Sequence, residues 1–145
     1  MFVKRPTSRS VVRGDYKFFT GNVWIEQLVW AEGKSHITAA IVTFEPRSRT
    51  AWHAHPLGQL LIVVAGCGLV QKWGEDAEII QTGDIVWIPP DTKHWHGATD
   101  TNILSHIAIQ EASDGRTADW MEHISDEQYE SALKSITRVK PKAHQ

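Results

Sequence analysis

The stretch PRSRTAWHAHPLGQLLIVVAG, residues 46–66, decides the fold of this chain. It connects a His-x-His pair to an apolar run through a Pro-Leu-Gly turn, a pattern typical of consecutive β-strands. Side chains two residues apart on a strand share a face, so His53 and His55 point the same way. Gln59 follows the turn and can return to that face. The stretch therefore predicts three polar side chains grouped on one surface of a sheet.

A second stretch, GDIVWIPPDTKHWHGA at residues 83–98, contains the same parts in the opposite order: an apolar run, a turn and then a His-x-His pair. His94 and His96 share a face by the same period-two rule. These histidines could be unrelated core or surface residues. If the two strands neighbour each other inside a barrel, however, their imidazoles converge on one point. Because uncharged imidazole is the commonest protein ligand for divalent transition metals, we predict a metal site there.

The last strong strand, 103–110, carries His106 on the same face as Ala108 and Gln110. If that face looks inward, His106 reaches the same cavity as an acid or base; the alternative is a core histidine. His96 has three alternatives: an extra ligand, a substrate contact or a structural hydrogen bond. The opposite face of the strand must also be buried, by a second sheet layer or a partner subunit. We therefore expect a homodimer or higher homo-oligomer. This opposite face consists of Ile103, Ser105, Ile107 and Ile109.

The rest of the chain is predicted to be all-β, because many short β-branched runs alternate with Gly, Pro and Asp turns. We expect the apolar run 60–65 to end at Gly66-Cys67-Gly68. Ser125 and Gln128 form a capping-box pattern, which predicts a short helix over 129–136. The predicted organisation is a single domain, 1–145, with an arm at about 1–14, a barrel at about 15–112, and a C-terminal helix and tail at about 117–145.

Composition excludes several classes of function. The chain has 145 residues, which is one domain by the usual length, and its net charge is −2. This charge gives no sign of a nucleic-acid surface or a polybasic membrane patch. No apolar run reaches the roughly 20 residues of a membrane span, and no signal-peptide core follows the basic residues 1–13. One cysteine excludes an internal disulfide framework. We expect a cytoplasmic protein whose partner is a small-molecule substrate.

The two stretches resemble the two motifs of the cupins, and their short spacing is similar to that of small bacterial cupins. His53 and His55 match the two histidines of the first motif, Gln59 its glutamate, and His94 the histidine of the second. The resemblance implies a double-stranded β-helix, or jelly-roll barrel, with a short C-terminal helix. Gln59 departs from the motif. A neutral amide beside neutral imidazoles would leave a bound ion its full charge and make it a stronger Lewis acid.

A closer resemblance runs from about Tyr16 to Tyr129. It rests on the strings VTFEP, TAWHAHPLGQ, AGCG, KHWHGA, AIQE and DWMEHISDEQY. They look like the manganese-dependent bacterial cupin hydroxynitrile lyases, part of a wider group resembling carboxymuconolactone-decarboxylase-associated proteins. The resemblance implies Mn(II), with Fe(II), Zn(II), Ni(II) or Co(II) as alternatives. It implies metal ligands at His53, His55, Gln59 and His94, proton transfer at His106, and pocket positions at Ala40, Val42 and Gln110.

The activity that this resemblance implies is the reversible cleavage of (R)-cyanohydrins, such as mandelonitrile, to an aldehyde and cyanide. In that reaction His106 removes the hydroxyl proton, and His96 hydrogen-bonds the nitrile or the departing cyanide. Two other classes remain open from the residues. One is another metal-dependent cupin enzyme, such as a dioxygenase, decarboxylase or isomerase of a small acid. The other is a non-enzymatic metabolite binder.

Overall fold

A computed structural model describes residues 1–137 of the chain. After a short 3₁₀ helix, Pro6–Ser8, these residues form twelve strands and one α-helix. The elements are β1 (Val11–Arg13), β2 (Phe19–Thr20), β3 (Val23–Trp30), β4 (Ile37–Phe44), β5 (Arg49–Thr50), β6 (His53–Ala54), β7 (Gln59–Lys72), β8 (Glu78–Gln81), β9 (Ile85–Ile88), β10 (His94–Ala98), β11 (Leu104–Glu111), β12 (Asp119–Trp120) and α1 (Asp126–Thr137).

The strands form one curled antiparallel sheet in the order β1-β3-β4-β11-β7-β10-β5-β2. Strands β8 and β9 also pair with β7, and β6 lies between β10 and β12. This arrangement confirms the predicted all-β barrel. The predicted arm ends in β1, which pairs with β3. The domain boundaries stay predictions, and the predicted tail at 138–145 lies outside the described residues.

Strand β7 continues through the glycines at which the sequence predicted its end, so that prediction was wrong. Its first half pairs with β11 and β9, and its second half pairs with β10 and β8. Gly66 adopts φ 81°, and a Cβ there would lie 1.8 Å from the Ile103 carbonyl oxygen. A Cβ on Gly68 would lie 2.3 Å from the Gly97 oxygen. The glycines therefore permit a close backbone approach where the strand changes its pairing partners, rather than a chain reversal.

Inside the barrel, the inward positions of β4, β7 and β11 form the main core. In the cross-strand register, Ala40 on β4 lies opposite Ala108 on β11, and Val42 lies opposite His106. The face of the last strand that carries His106 therefore looks inward. A second apolar cluster lies under α1 and contains both tryptophans that flank the histidine pairs. Its buried members are Trp52, Leu69, Ala77, Trp95, Ile124, Tyr129, Ala132 and Leu133.

Helix α1 begins with the predicted capping box. The Gln128 backbone N–H donates to Ser125 Oγ at 3.1 Å, and the Ser125 N–H donates to Gln128 Oε1 at 2.9 Å. Because the cap is Ser125, the helix begins at Asp126, three residues earlier than predicted. Arg49 fixes the helix to the barrel through a 2.8 Å ion pair with Asp126 and a position over the Tyr129 ring. No helix among residues 1–137 is both long and apolar enough to cross a membrane.

The outer face of the sheet carries two apolar rows. In one row Ile41, Ile107, Ile62 and Ile85 are successive cross-strand partners. In the next row Ala39, Ile109, Leu60 and Trp87 occupy the equivalent positions. The exposed fraction is 69% for Ile85 and 59% for Trp87. Residues 1–137 of a single chain therefore leave this face partly open to solvent.

Candidate metal centre and cavity

The structure brings the two His-x-His pairs together, because β6 and β10 are neighbours and His94 lies directly opposite His53. The ring centroids of these two residues are 4.2 Å apart. His55 lies 5.3 Å from His94, and His96 lies 5.3 Å from His53, again between ring centroids. All four side chains are buried. The predicted convergence of imidazoles therefore occurs inside the barrel.

Three of the imidazoles are held by the same kind of hydrogen bond, from Nδ1 to a main-chain carbonyl. His53 Nδ1 donates to the Ala51 carbonyl at 2.9 Å, His55 Nδ1 to Thr117 at 2.9 Å, and His94 Nδ1 to Thr92 at 2.8 Å. The carbonyl acceptors fix the tautomer, so each Nε2 carries a free lone pair. Nε2 of His55 and of His94 is buried without a protein partner. Metal-binding histidines in proteins are held in this way.

Gln59 supplies a fourth candidate ligand atom from the start of β7. Its Nε2 donates to Gln110 Oε1 at 3.0 Å, while its own Oε1 is buried and has no hydrogen-bond partner. A buried amide oxygen without a donor is costly unless something else satisfies it. The donor set of imidazole nitrogens and an amide oxygen fits a divalent transition metal.

A second group of possible ligands shares two histidines with this set. Among the described residues, the possible ligand atoms of His53, His94 and His96 all lie within 4.8 Å of one another, and His55 is not part of that group. His96 differs from the other three imidazoles in its partner, because Nδ1 faces a ring nitrogen of His106 rather than a carbonyl. The distances between ligand atoms thus favour His53, His94 and His96, whereas the hydrogen bonds at Nδ1 favour His53, His55 and His94. Both sets contain His53 and His94.

Burial keeps these imidazoles uncharged. It lowers the pKa of His94 to about 4 and the pKa of His53 well below its usual value, and the neighbouring His94 and His55 lower the latter further. Burial also lowers the pKa of His55, and the hydrogen bond to Thr117 and the neighbouring Gln59 side chain only partly offset this. Neutral imidazole is the form that binds a metal, so the site is ready for a cation at neutral pH.

The site opens into a cavity of about 140 Å³ that contains Ala40, Val42 and Gln110, the three predicted pocket positions. Its volume is similar to that of an engineered cavity of about 150 Å³ that holds a benzene molecule. The sequence did not predict several residues that line this cavity, because β2 and β12 are too short to show a periodic pattern. A larger groove beside Trp52 and Trp73 is lined by none of the histidines. The missed lining residues are Phe19, Thr50, Thr117, Ala118 and Trp120.

His96 and His106 form a buried pair in the wall of this cavity, with 3.0 Å between His106 Nε2 and His96 Nδ1. Burial lowers the pKa of His106 to about 4 and that of His96 well below its usual value. Two neutral rings share one N–H across this contact. Whichever ring donates, one outer nitrogen carries a proton and the other a lone pair. Those outer atoms, His96 Nε2 and His106 Nδ1, are buried and unpaired, so the pair offers one proton donor and one acceptor.

Comparison with known proteins identifies the class. Residues 40–109 match the cupin domain family. The chain is 52% identical over 129 residues to an (R)-mandelonitrile lyase of Granulicella tundricola, an alignment that covers 89% of this chain and 98% of that protein. The chain therefore belongs to the cupin family. Its predicted resemblance to the cupin hydroxynitrile lyases is confirmed.

Solved structures agree with this assignment. A cupin-like protein from Thermotoga maritima matches with a TM-score of 0.80 and 41% identity, over 88% of this chain and 94% of that one. A polyketide cyclase from Streptomyces resistomycificus matches with a TM-score of 0.67 at 15% identity, over 94% of this chain and 98% of that one. The second match shows the fold alone. Together they confirm the predicted cupin barrel.

Proposed function

We propose that this chain is a metal-dependent hydroxynitrile lyase that reversibly cleaves (R)-cyanohydrins, such as mandelonitrile, to an aldehyde and cyanide. One observation carries the proposal: a buried donor–acceptor pair, His96 and His106, shares a cavity of aromatic size with three of the candidate metal ligands, His53, His55 and Gln59. The identity with an (R)-mandelonitrile lyase over most of the chain supports it.

The proposed ligands are Nε2 of His53, His55 and His94 and Oε1 of Gln59, and the proposed ion is Mn(II). Fe(II), Zn(II), Ni(II) and Co(II) accept the same donors. The carbonyl bonds at Nδ1 favour His55 over His96, because they fix the tautomer that metal binding needs. A bound ion would supply a Lewis acid whose charge no ligand carboxylate offsets.

The histidine pair accounts for both proton transfers. His106 Nδ1 accepts the hydroxyl proton, the oxygen forms a C=O bond, and the bond to the nitrile carbon breaks with its electrons leaving on cyanide. His106 passes its Nε2 proton to His96 Nδ1, and His96 Nε2 gives its proton to the cyanide. Both rings end neutral in the opposite tautomer, so no charge is left in the buried pair. Proton transfer of this kind contributes about 10²–10⁴-fold to a rate.

The rest of the cavity suits the organic part of the substrate. Ala40 and Val42 leave space on one wall, and Phe19 and Trp120 supply aromatic surface. Trp120 is stacked on the His53 ring with 4.6 Å between centroids, so its position is fixed relative to the candidate ligands. An aromatic ring packs well against such walls, which favours benzaldehyde-type carbonyl products.

The test is benzaldehyde release from (R)- and (S)-mandelonitrile by the purified full-length protein. Protein loaded with Mn(II) should release benzaldehyde with a preference for the R substrate, and chelator-treated protein should not. Re-addition of Mn(II) should restore the rate. Absence of release from protein with measured stoichiometric metal would contradict the lyase function. Oxygen consumption by iron-loaded protein with small acids would instead favour a dioxygenase.

The outer apolar face is the proposed contact between two copies of the chain. Its central rows contain no charged residue, so a copy related by a two-fold axis can pack on it without opposing like charges. We expect light scattering to give twice the 16.4 kDa chain mass. Ile85→Lys places charge in the contact but lies at the surface of the single chain, so it should yield a folded monomer. Equal masses for the wild type and Ile85→Lys would contradict this interface.

A further inference from the structure

Three polar side chains form a line across the inner surface of β4, β11 and β7. Thr38 lies opposite Gln110, and Gln110 lies opposite Gln59 in the strand register. The exposed fraction is 1% for Thr38 and 5% for Gln59. Because both ends of this line are buried, water is not available to replace a missing hydrogen-bond partner there.

The hydroxyl of Thr38 determines how the Gln110 amide is oriented. Thr38 Oγ1 donates its only proton to the main-chain oxygen of Gln110 at 3.0 Å. Toward the Gln110 side chain the same oxygen can therefore only accept, and it accepts from Nε2 at 2.5 Å. The nitrogen end of the Gln110 amide is thus held at Thr38, and its Oε1 faces β7.

The orientation passes on to Gln59. Gln110 Oε1 accepts a hydrogen bond from Gln59 Nε2 at 3.0 Å. Inverting the Gln59 amide would bring two oxygens together, so the native arrangement keeps the nitrogen towards Gln110. The Gln59 oxygen is consequently left unpaired, as is Nε2 of His55. An amide nitrogen in its place could not bind a cation, because its lone pair is delocalised and both hydrogens point outward.

We infer that Thr38 is a positioning residue of the metal centre, whose hydroxyl acts through Gln110 to present the oxygen of Gln59 as a ligand atom. The inference rests on the proposed ligand set. It explains how the fourth ligand of that set is oriented. Carbonyl groups fix the tautomers of the three imidazoles, whereas no main-chain group fixes the Gln59 amide. Without the Thr38 hydroxyl, either end of Gln110 can face Gln59.

The test compares Mn(II) dissociation constants of full-length variants by calorimetric titration. Thr38→Val keeps the shape of the side chain, removes the hydroxyl and should weaken binding about 10-fold or more, as loss of an outer partner of a ligand usually does. Thr38→Ser should restore the wild-type constant. Thr43→Val is the matched control, because Thr43 lies on the same strand and its hydroxyl contacts Ser105 at 2.9 Å instead. It should bind like the wild type.

A spectroscopic readout identifies the cause. The visible absorption of Co(II)-loaded protein should change in Thr38→Val, because an oxygen ligand is lost, and should stay constant in Thr43→Val. Gln110→Leu should reproduce the Thr38→Val result. Gln110→Glu should retain binding, because one carboxylate oxygen still accepts from Gln59 and the Thr38 hydroxyl can turn to donate to the other. Wild-type affinity and an unchanged spectrum in both Thr38→Val and Gln110→Leu would overturn the inference.

These binding measurements separate the inference from the lyase proposal. Wild-type protein that binds Mn(II) but releases no benzaldehyde would contradict the lyase function, and the Thr38 comparison would still decide the inference. Wild-type protein that binds no divalent metal would overturn both. Melting temperatures of the metal-free variants show whether a loss of affinity comes from misfolding. If Thr38→Val melts well below the wild type, the comparison of Gln110→Leu with Gln110→Glu decides.

Discussion

Replacement of His94 by alanine is expected to remove metal binding and cyanohydrin cleavage together. Nε2 of His94 is buried and has no hydrogen-bond partner, and the Thr92 carbonyl fixes the tautomer that leaves its lone pair free. Metal binding is therefore the role that remains for this nitrogen. Loss of a ligand should exceed the roughly 10–100-fold cost of losing a ligand's outer partner. The measurements are metal content after dialysis and benzaldehyde release. His36→Ala, at an exposed histidine, is the control and should retain both.

His94 belongs to both candidate ligand sets, so a second comparison is needed to choose between them. The proposed set predicts that His55→Ala loses the metal and that His96→Ala keeps it. The alternative group of His53, His94 and His96 predicts the reverse. Stoichiometric metal in His94→Ala at wild-type affinity would exclude both sets.

Replacement of His106 by asparagine is expected to lower turnover by about 10²–10⁴-fold and to leave the metal bound. Burial lowers the pKa of His106 to about 4, so the ring is unprotonated at neutral pH and can accept a proton. Since the ring is half protonated only near pH 4, this residue should cause little loss of wild-type activity between pH 7 and pH 5. Asparagine provides no basic nitrogen. Steady-state kinetics and metal analysis of the same preparation provide the check.

Wild-type turnover in His106→Asn would show that the proton acceptor is another group. His96→Asn gives the companion result. If the two histidines act as one unit, each single variant should lose nearly as much turnover as the double variant. Additive losses would mean that the rings act separately, in spite of the 3.0 Å contact between them.

The sequence predicted the centre of the site because period-two alternation is a local rule. His53 and His55 had to share a face, as did His94 and His96, and only the pairing of their strands remained to be seen. The pairing of β6 with β10 met that condition. The same local rules predicted the capping box at Ser125, since its hydrogen bonds join residues three apart.

Two other features could not be predicted in this way. Gly66 and Gly68 predict a strand end, because glycine usually marks a turn. In the structure the tight contacts of the barrel require glycine at both positions instead. The hydrogen bond between Thr38 and Gln110 joins residues 72 apart in sequence, and no periodic pattern indicates such a partner. Trp120 was missed for a related reason, since it lies in a strand of two residues.

Some of the hydrogen bonds that orient the candidate ligands join residues far apart in the sequence, and this has a consequence for folding. His55 is oriented by a residue 62 positions away, and Gln59 by a residue 51 positions away. Closing such long loops is entropically unfavourable, and contacts of this kind make barrels slow to fold. Partly folded chains should therefore have little affinity for the ion. Metal uptake should follow the folding transition rather than nucleate it. A saturating ion, which binds only the native barrel, should slow its unfolding.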